Sequence, residues 1–116
     1  MLTKRLASSP SHAEVSRTLL ENAACATLST LTADGFPFGS LVSFAIDPQG
    51  NVLLLLSDLA EHTQNLRNNP KASLMVGQKT SGDPLAGGRV TLLGEIGSPT
   101  NLQVARASYL ERHPEA

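Results

Sequence analysis

The spacing of apolar residues changes several times along the chain, and each change marks an element. Val15, Leu19 and Leu20, with Ala23, fall on one side of a helical wheel. Ser11-His12-Ala13-Glu14 just before them has the form of a capping box, which predicts a helix starting there. From Ala24 to Thr32 the residues are small or β-branched, as in a strand. Asp34-Gly35 follows, a strong short hairpin signal. The next strand runs from Phe36 to Ile46. Its even positions, Phe36, Phe38, Val42, Phe44 and Ile46, are apolar, with Ser40 the exception; its odd positions, Pro37, Gly39, Leu41, Ser43 and Ala45, are mainly small or polar. Alternation of this kind predicts a half-buried strand whose small face lets a ligand approach the backbone. Asp47-Pro48-Gln49-Gly50 then reads as a type I turn.

The rest of the chain is organised around residues Asn51 to Gln78. Val52 to Leu56 is continuously apolar, so both faces of that strand are expected to be buried, under a helix or another subunit. Ser57-Asp58 breaks the run, and Leu59 to Asn68 is predicted to be a short helix stopped by Asn69-Pro70. Ala72 to Val76 is a further strand, and 79–88 is a loop of turn-formers. Arg89 to Ile96 is the last strand, with Val90, Leu92 and Gly94 on one face and Arg89, Thr91, Leu93 and Glu95 on the other. Ser98-Pro99 is expected to start a final helix with Leu102, Ala105, Tyr109 and Leu110 inward. His113-Pro114 ends it, with His113 on the surface. The sum is a mainly β domain with flanking helices, a small antiparallel barrel or rolled sheet. Its open strand edges predict a homodimer. Residues 1–10 are expected to be a flexible arm and 11–116 the domain. Because the chain stops just after a helix, a C-terminal part is expected to be missing.

Composition narrows the function. At 116 residues and a net charge of −1, the chain has one core and no basic stripe, which argues against nucleic acid. Its longest apolar run falls far short of the ~20 residues of a membrane helix, and no apolar segment behind Lys4 and Arg5 makes a secretory signal. A cytoplasmic location is expected. The one cysteine, Cys25, lies among small apolar residues and reads as a core residue. The absence of Trp and the scarcity of aromatic residues argue against a base-stacking pocket. No catalytic triad, acid–base pair or metal cluster stands out. Polar chemistry gathers instead where the Val52–Leu56 strand meets the short helix: Ser57, Glu61, His62, Thr63, Asn65 and Arg67. A helix N-terminus offers free N–H groups to an anion, so this junction reads as one wall of a phosphate-bearing cofactor site. The competing reading makes Ser57 and Thr63 helix caps and puts Asn65 in a turn network.

The segments CATLSTLTADGFPFGSLVSF (25–44), SDLAEHTQNLRNNPKASLMV (57–76), GDPLAGG (82–88) and RVTLLGEI (89–96), followed by ARASYLERHPEA (105–116), resemble a known family. Their order is similar to the FMN-binding split barrel, the pyridoxamine 5′-phosphate oxidase-like superfamily, and most similar to its heme-utilisation and CREG-like branch. The resemblance covers about residues 12–116. It implies a homodimer with FMN at the subunit interfaces and a flavin-dependent oxidoreductase acting on an unknown small-molecule substrate. It places cofactor contacts at Ser40 and Ser43, at Leu55 to Ser57, and at the helix start with His62, Thr63 and Asn65. Glu61-His62 stands where the oxidases carry Arg-Lys, a departure that weakens phosphate binding. Arg89 aligns with a segment that brings a polar side chain to the flavin. In the heme-utilisation branch an Arg at this position and a His near the C-terminus belong to a heme site. Arg89 matches, while the C-terminal His segment falls beyond Ala116. Heme without flavin, and a non-catalytic module that binds a partner protein, are the alternatives.

Overall fold

A computed structural model describes residues 10–116, with side chains from Glu14 onward. The elements are α1 (Pro10–Asn22), β1 (Cys25–Leu31), β2 (Pro37–Ser43), β3 (Ala45–Ile46), β4 (Val52–Leu53), α2 (Glu61–Asn68), β5 (Lys71–Gly77), β6 (Arg89–Glu95) and α3 (Leu102–Arg112). An antiparallel four-stranded sheet runs in the order β2-β1-β5-β6, and β3 pairs with β4 separately. The mainly β architecture with flanking helices is therefore as the pattern predicted. The arm expected at the N-terminus lies, through residue 9, outside the described residues, as does the side chain of His12. The first helix begins at Pro10, so Ser11 falls inside it rather than at its cap.

Strand parity divides the sheet into two unlike faces. On the inner face Ala26, Leu28, Val42, Leu74, Val76 and Leu92 are buried together with Leu20 of α1. Burying each of the Leu and Val side chains contributes roughly 1.5–3 kcal/mol, so this layer dominates stability. Cys25 has the opposite parity. It is exposed, not a core residue, because the buried positions of β1 are Ala26, Leu28 and Thr30.

The strand expected over 36–46 is divided. β2 pairs with β1, Ser43 opposite Cys25, but after Phe44 the chain leaves the sheet and Ala45 pairs with Leu53. Phe44 and Ala45 are consecutive and both buried, which breaks the alternation at the departure point. Phe36 lies outside the strand and is exposed. It closes the hairpin loop instead: Thr32 N donates to Phe36 O at 2.8 Å and Phe36 N donates to Thr32 Oγ1 at 2.9 Å. Gly35 holds a φ of +88° in that loop, and Gly50 a φ of +87° in the turn after Asp47. Both are left-handed values that glycine adopts without a Cβ clash.

The apolar run 52–56 is a ladder strand only at Val52 and Leu53. Those two are buried on opposite sides, Val52 in the main core and Leu53 against Tyr109 of α3, so a helix supplies the second cover. Leu55, past the ladder, is half exposed. α2 starts at Glu61, two residues later than predicted, and leaves Leu59 at 92% exposure. Asn69 N donates to Asn65 O at its end, as the Asn-Pro stop implies. The last helix also starts late. Asn101 is its cap and accepts from Val104 N at 3.1 Å, so Ser98 and Pro99 belong to the connection. Val15 and Leu102, read as inward, are exposed.

One polar contact ties α2 to the sheet. Asn65 and Thr30 are both buried, and Asn65 Nδ2 donates to Thr30 Oγ1 at 3.1 Å. Removing either partner strands the other in the interior. Asn65→Ala and Thr30→Val are each expected to lower the unfolding free energy in urea by about 1–3 kcal/mol, with the double variant losing less than the sum. Strictly additive losses would show that the two groups do not interact.

Candidate functional site

The junction before α2 folds as a turn held by its own side chains. Leu59 N donates to Ser57 Oγ at 3.3 Å, and Thr63 Oγ1 donates to Ser57 O. Ala60 is the N-cap and offers no side-chain bond. Ser57 and Thr63 therefore meet each other and organise the entry to the helix. Asn65 points away from them, into the interior toward Thr30.

Charge at this junction is unfavourable for a phosphate. Glu61 occupies the first turn of α2, whose basic residue is Arg67 in the last turn. Arg67 is paired with Asp58 at 2.9 Å. An anion drawn to the helix N-terminus would meet a carboxylate there, which opposes the dipole.

His62 is placed differently. It is half-buried, and its Nδ1 lies 3.1 Å from Ser40 Oγ on β2. Ser40 Oγ in turn donates to Leu28 O at 3.4 Å, on the residue directly opposite it in the ladder. The fold thus brings Ser40 and His62 into contact across 22 positions of sequence.

Ser43 faces the other side of β2. Its side chain hydrogen-bonds the phenol of Tyr109 on α3. Beside it, Arg112 donates to Glu21 O and Ala23 O, each at 2.6 Å, and so satisfies carbonyls at the C-terminal end of α1. His113 is half-buried, not a free surface residue: its Nε2 donates to Phe44 O at 2.7 Å, and its ring lies 4.8 Å from that of Tyr109. These anchors escaped the sequence reading because Arg112 and His113 read as an ordinary helix end.

Arg89 opens β6 opposite Gly77. Among the described residues no hydrogen bond or ion pair engages its guanidinium. It stands on the outer face of the sheet, which carries Leu41, Met75 and Leu93 at 75, 43 and 59% exposure, with Thr27, Ser29 and Ser73 between them. Leu41 and Leu93 are large residues on faces otherwise read as small or polar, a signal visible in the alternation. At the far end of the sheet from Arg89 lies an open groove of about 530 Å³, lined by Leu31, Pro37, Lys71, Ser73, Leu93 and Glu95 among others.

Residues 8–116 match the family described as CREG, beta-barrel. The chain belongs to the CREG β-barrel family. This CREG β-barrel chain is 38% identical over 104 residues to the chloroplastic heme oxygenase HOZ of Arabidopsis thaliana, covering 86% of this chain and 32% of that protein. It is 35% identical over 109 residues to a chloroplastic glutamyl-tRNA reductase-binding protein of the same plant, covering 91% and 32%. It therefore spans about a third of the length of these curated relatives. A heme-binding protein from Mycobacterium smegmatis superimposes with a TM-score of 0.83 at 38% identity, covering 91% of this chain and 45% of that one. No helix among the described residues of the CREG β-barrel chain is long and apolar enough to cross a membrane.

Burial raises the pKa of Tyr109 above the ordinary 10.0, with the Ser43 hydrogen bond partly opposing it. Folded Tyr109 keeps its proton to higher pH than the unfolded chain does. Its contribution is full below the unfolded pKa and declines as pH rises past it, because the unfolded state ionises first. Melting temperatures measured from about pH 9 to 11 are expected to fall less in Tyr109→Phe than in the wild type. Equal declines would show that Tyr109 does not govern the alkaline limb.

Proposed function

We propose that this domain binds heme, on an outer sheet face that a second copy of the chain covers. The observation that carries the reading is the unpaired Arg89 at the margin of an exposed apolar plate formed by Leu41, Met75 and Leu93. Heme is a flat, largely apolar group with carboxylates on one edge. An apolar sheet face with a cation at its rim suits both parts, through area burial and a charge-assisted hydrogen bond. The heme-binding relative from M. smegmatis and the heme oxygenase of A. thaliana support the same choice.

When bound, heme supplies a redox-active iron. The chain's own contribution is to hold and shield it. Arg89 would receive a carboxylate of the group, and Leu41, Met75 and Leu93 would shield its apolar face from water. The groove beyond Leu93 suits an anion less well, since Glu95 stands directly opposite Lys71 there. A homodimer over the same face is part of the proposal. Exposed large apolar residues and the unpaired edges of β2 and β6 are surfaces that a second copy would cover. The FMN reading finds little support in the described residues, because Glu61 stands at the start of α2 and Arg67 is committed to Asp58. A flavin-dependent oxidoreductase is accordingly the weaker reading.

A hemin titration with absorption and sedimentation readouts tests this. The wild type is expected to develop a Soret band and to sediment as a dimer. Arg89→Ala should weaken hemin binding about tenfold, the equivalent of roughly 1.4 kcal/mol. Flavin bands in the purified protein, with no Soret band on adding hemin, would refute the proposal. Neither spectrum would favour the partner-binding module.

A further inference from the structure

We infer that two copies of this chain pack the outer faces of their β5–β6 hairpins together, about a twofold axis that runs parallel to the strands between β5 and β6. The outward rows of that hairpin carry the argument: Lys71 opposite Glu95, Ser73 opposite Leu93, Met75 opposite Thr91 and Gly77 opposite Arg89. Every row joins unlike residues. The first joins a cation to an anion, and each of the others joins a large side chain to a small one or to none. The large member changes strand from row to row, from Leu93 to Met75 to Arg89. Such a face carries knobs and holes in equal number, and the surface that fits it is a second copy of itself.

A twofold axis in that position keeps each residue at its own height along the strands. It sets β5 of one copy over β6 of the other, about 10 Å away. Leu93 then enters the space over the other copy's Ser73, and Met75 the space over its Thr91. Arg89 enters the space over its Gly77, where a Cβ would meet nothing within 4 Å. Charge agrees with shape. Lys71 and Glu95 are exposed and directly opposite, yet among the described residues no ion pair joins them, so each is open to the opposite charge of the other copy. An axis lying along β5 or β6 would instead stack Lys71 on Lys71 or Glu95 on Glu95.

This assembly covers half of each sheet. β1 and β2 extend beyond the other copy's β6, an edge strand, and their outer face stays open beside it. On the heme reading above, on which this step rests, the open half is a cleft shared by two chains. Leu41 and Met75 of one copy form its floor, and Leu93 and Arg89 of the other form its wall. The site is incomplete in a single chain and occurs twice in the dimer.

Sedimentation of the heme-free protein tests the assembly. Lys71→Glu and Glu95→Lys each set like charges against one another twice, and each is expected to raise the dimer dissociation constant about tenfold. An equimolar mixture of the two variants should recover a heterodimer within about threefold of the wild type, because every charge across the interface is again opposite. Mixing cannot repair a pair that acts within one chain. The double variant K71E/E95K should dimerise by itself, which shows that both reversals leave the fold intact. Single variants that sediment like the wild type, or a mixture that stays monomeric, overturn the inference. Hemin titration tests the shared cleft. Arg89→Ala and Leu41→Glu bind weakly when separate, and an equimolar mixture should restore wild-type affinity to about a quarter of the sites. No restoration on mixing puts the site within one chain and overturns the sharing. A wild type that obeys the charge tests but takes up no hemin overturns the heme reading and leaves the assembly standing.

Discussion

Asn65 carries its amide into the interior, and Thr30 on the central strand β1 receives it at 3.1 Å. Both groups are almost wholly removed from water, so neither has an alternative partner. A helix as short as α2 has little stability of its own. Its place is set by this contact and by the packing of Leu66 against the core. The consequence reaches His62, one turn earlier, which is held against Ser40 only as long as α2 keeps its distance from the sheet. Two polar contacts on the sheet-facing side of the helix, one turn apart, thus fix α2 to β1 and β2 together.

The sheet's elements were legible where local chemistry decides them. Asp34-Gly35 and Asp47-Pro48-Gln49-Gly50 turned where their residue types demand, and Asn69-Pro70 ended α2. The alternation in 37–43 gave the faces of β2 correctly. What failed to show was anything decided at long range. The strand over 36–46 reads as continuous, but the competition between β1 and β4 for its pairing splits it after Phe44. Cys25 sits among small apolar neighbours, yet one residue of register puts it outside. α3 starts late because Asn101 supplies its side-chain cap, although Ser98-Pro99 offered an equally good local signal.

The candidate site was legible as a list of polar residues, not as an arrangement. Ser57 and Thr63 proved to be turn-builders, and Asn65 a core contact, because each finds a partner within reach of its own backbone or the strand below. Ser40 and Ser43 looked equivalent on one strand, but three residues of separation put them on opposite faces. One meets His62 and the other meets Tyr109. Only a fold that crosses α2 over the sheet could join position 40 to position 62.

Parity also decides what a single chain can do. Ser40 and the apolar plate around Leu41 are neighbours in sequence and face opposite ways, so the imidazole and the guanidinium of Arg89 cannot converge within one protomer. Whatever engages Arg89 is therefore met on the outer face, beside Leu41, Met75 and Leu93. His62, held by Ser40 over the opposite face, belongs to the packing of α2 on the sheet. The two polar groups that read as one site along the sequence are separated by the sheet itself, because a strand turns every second side chain to the other side.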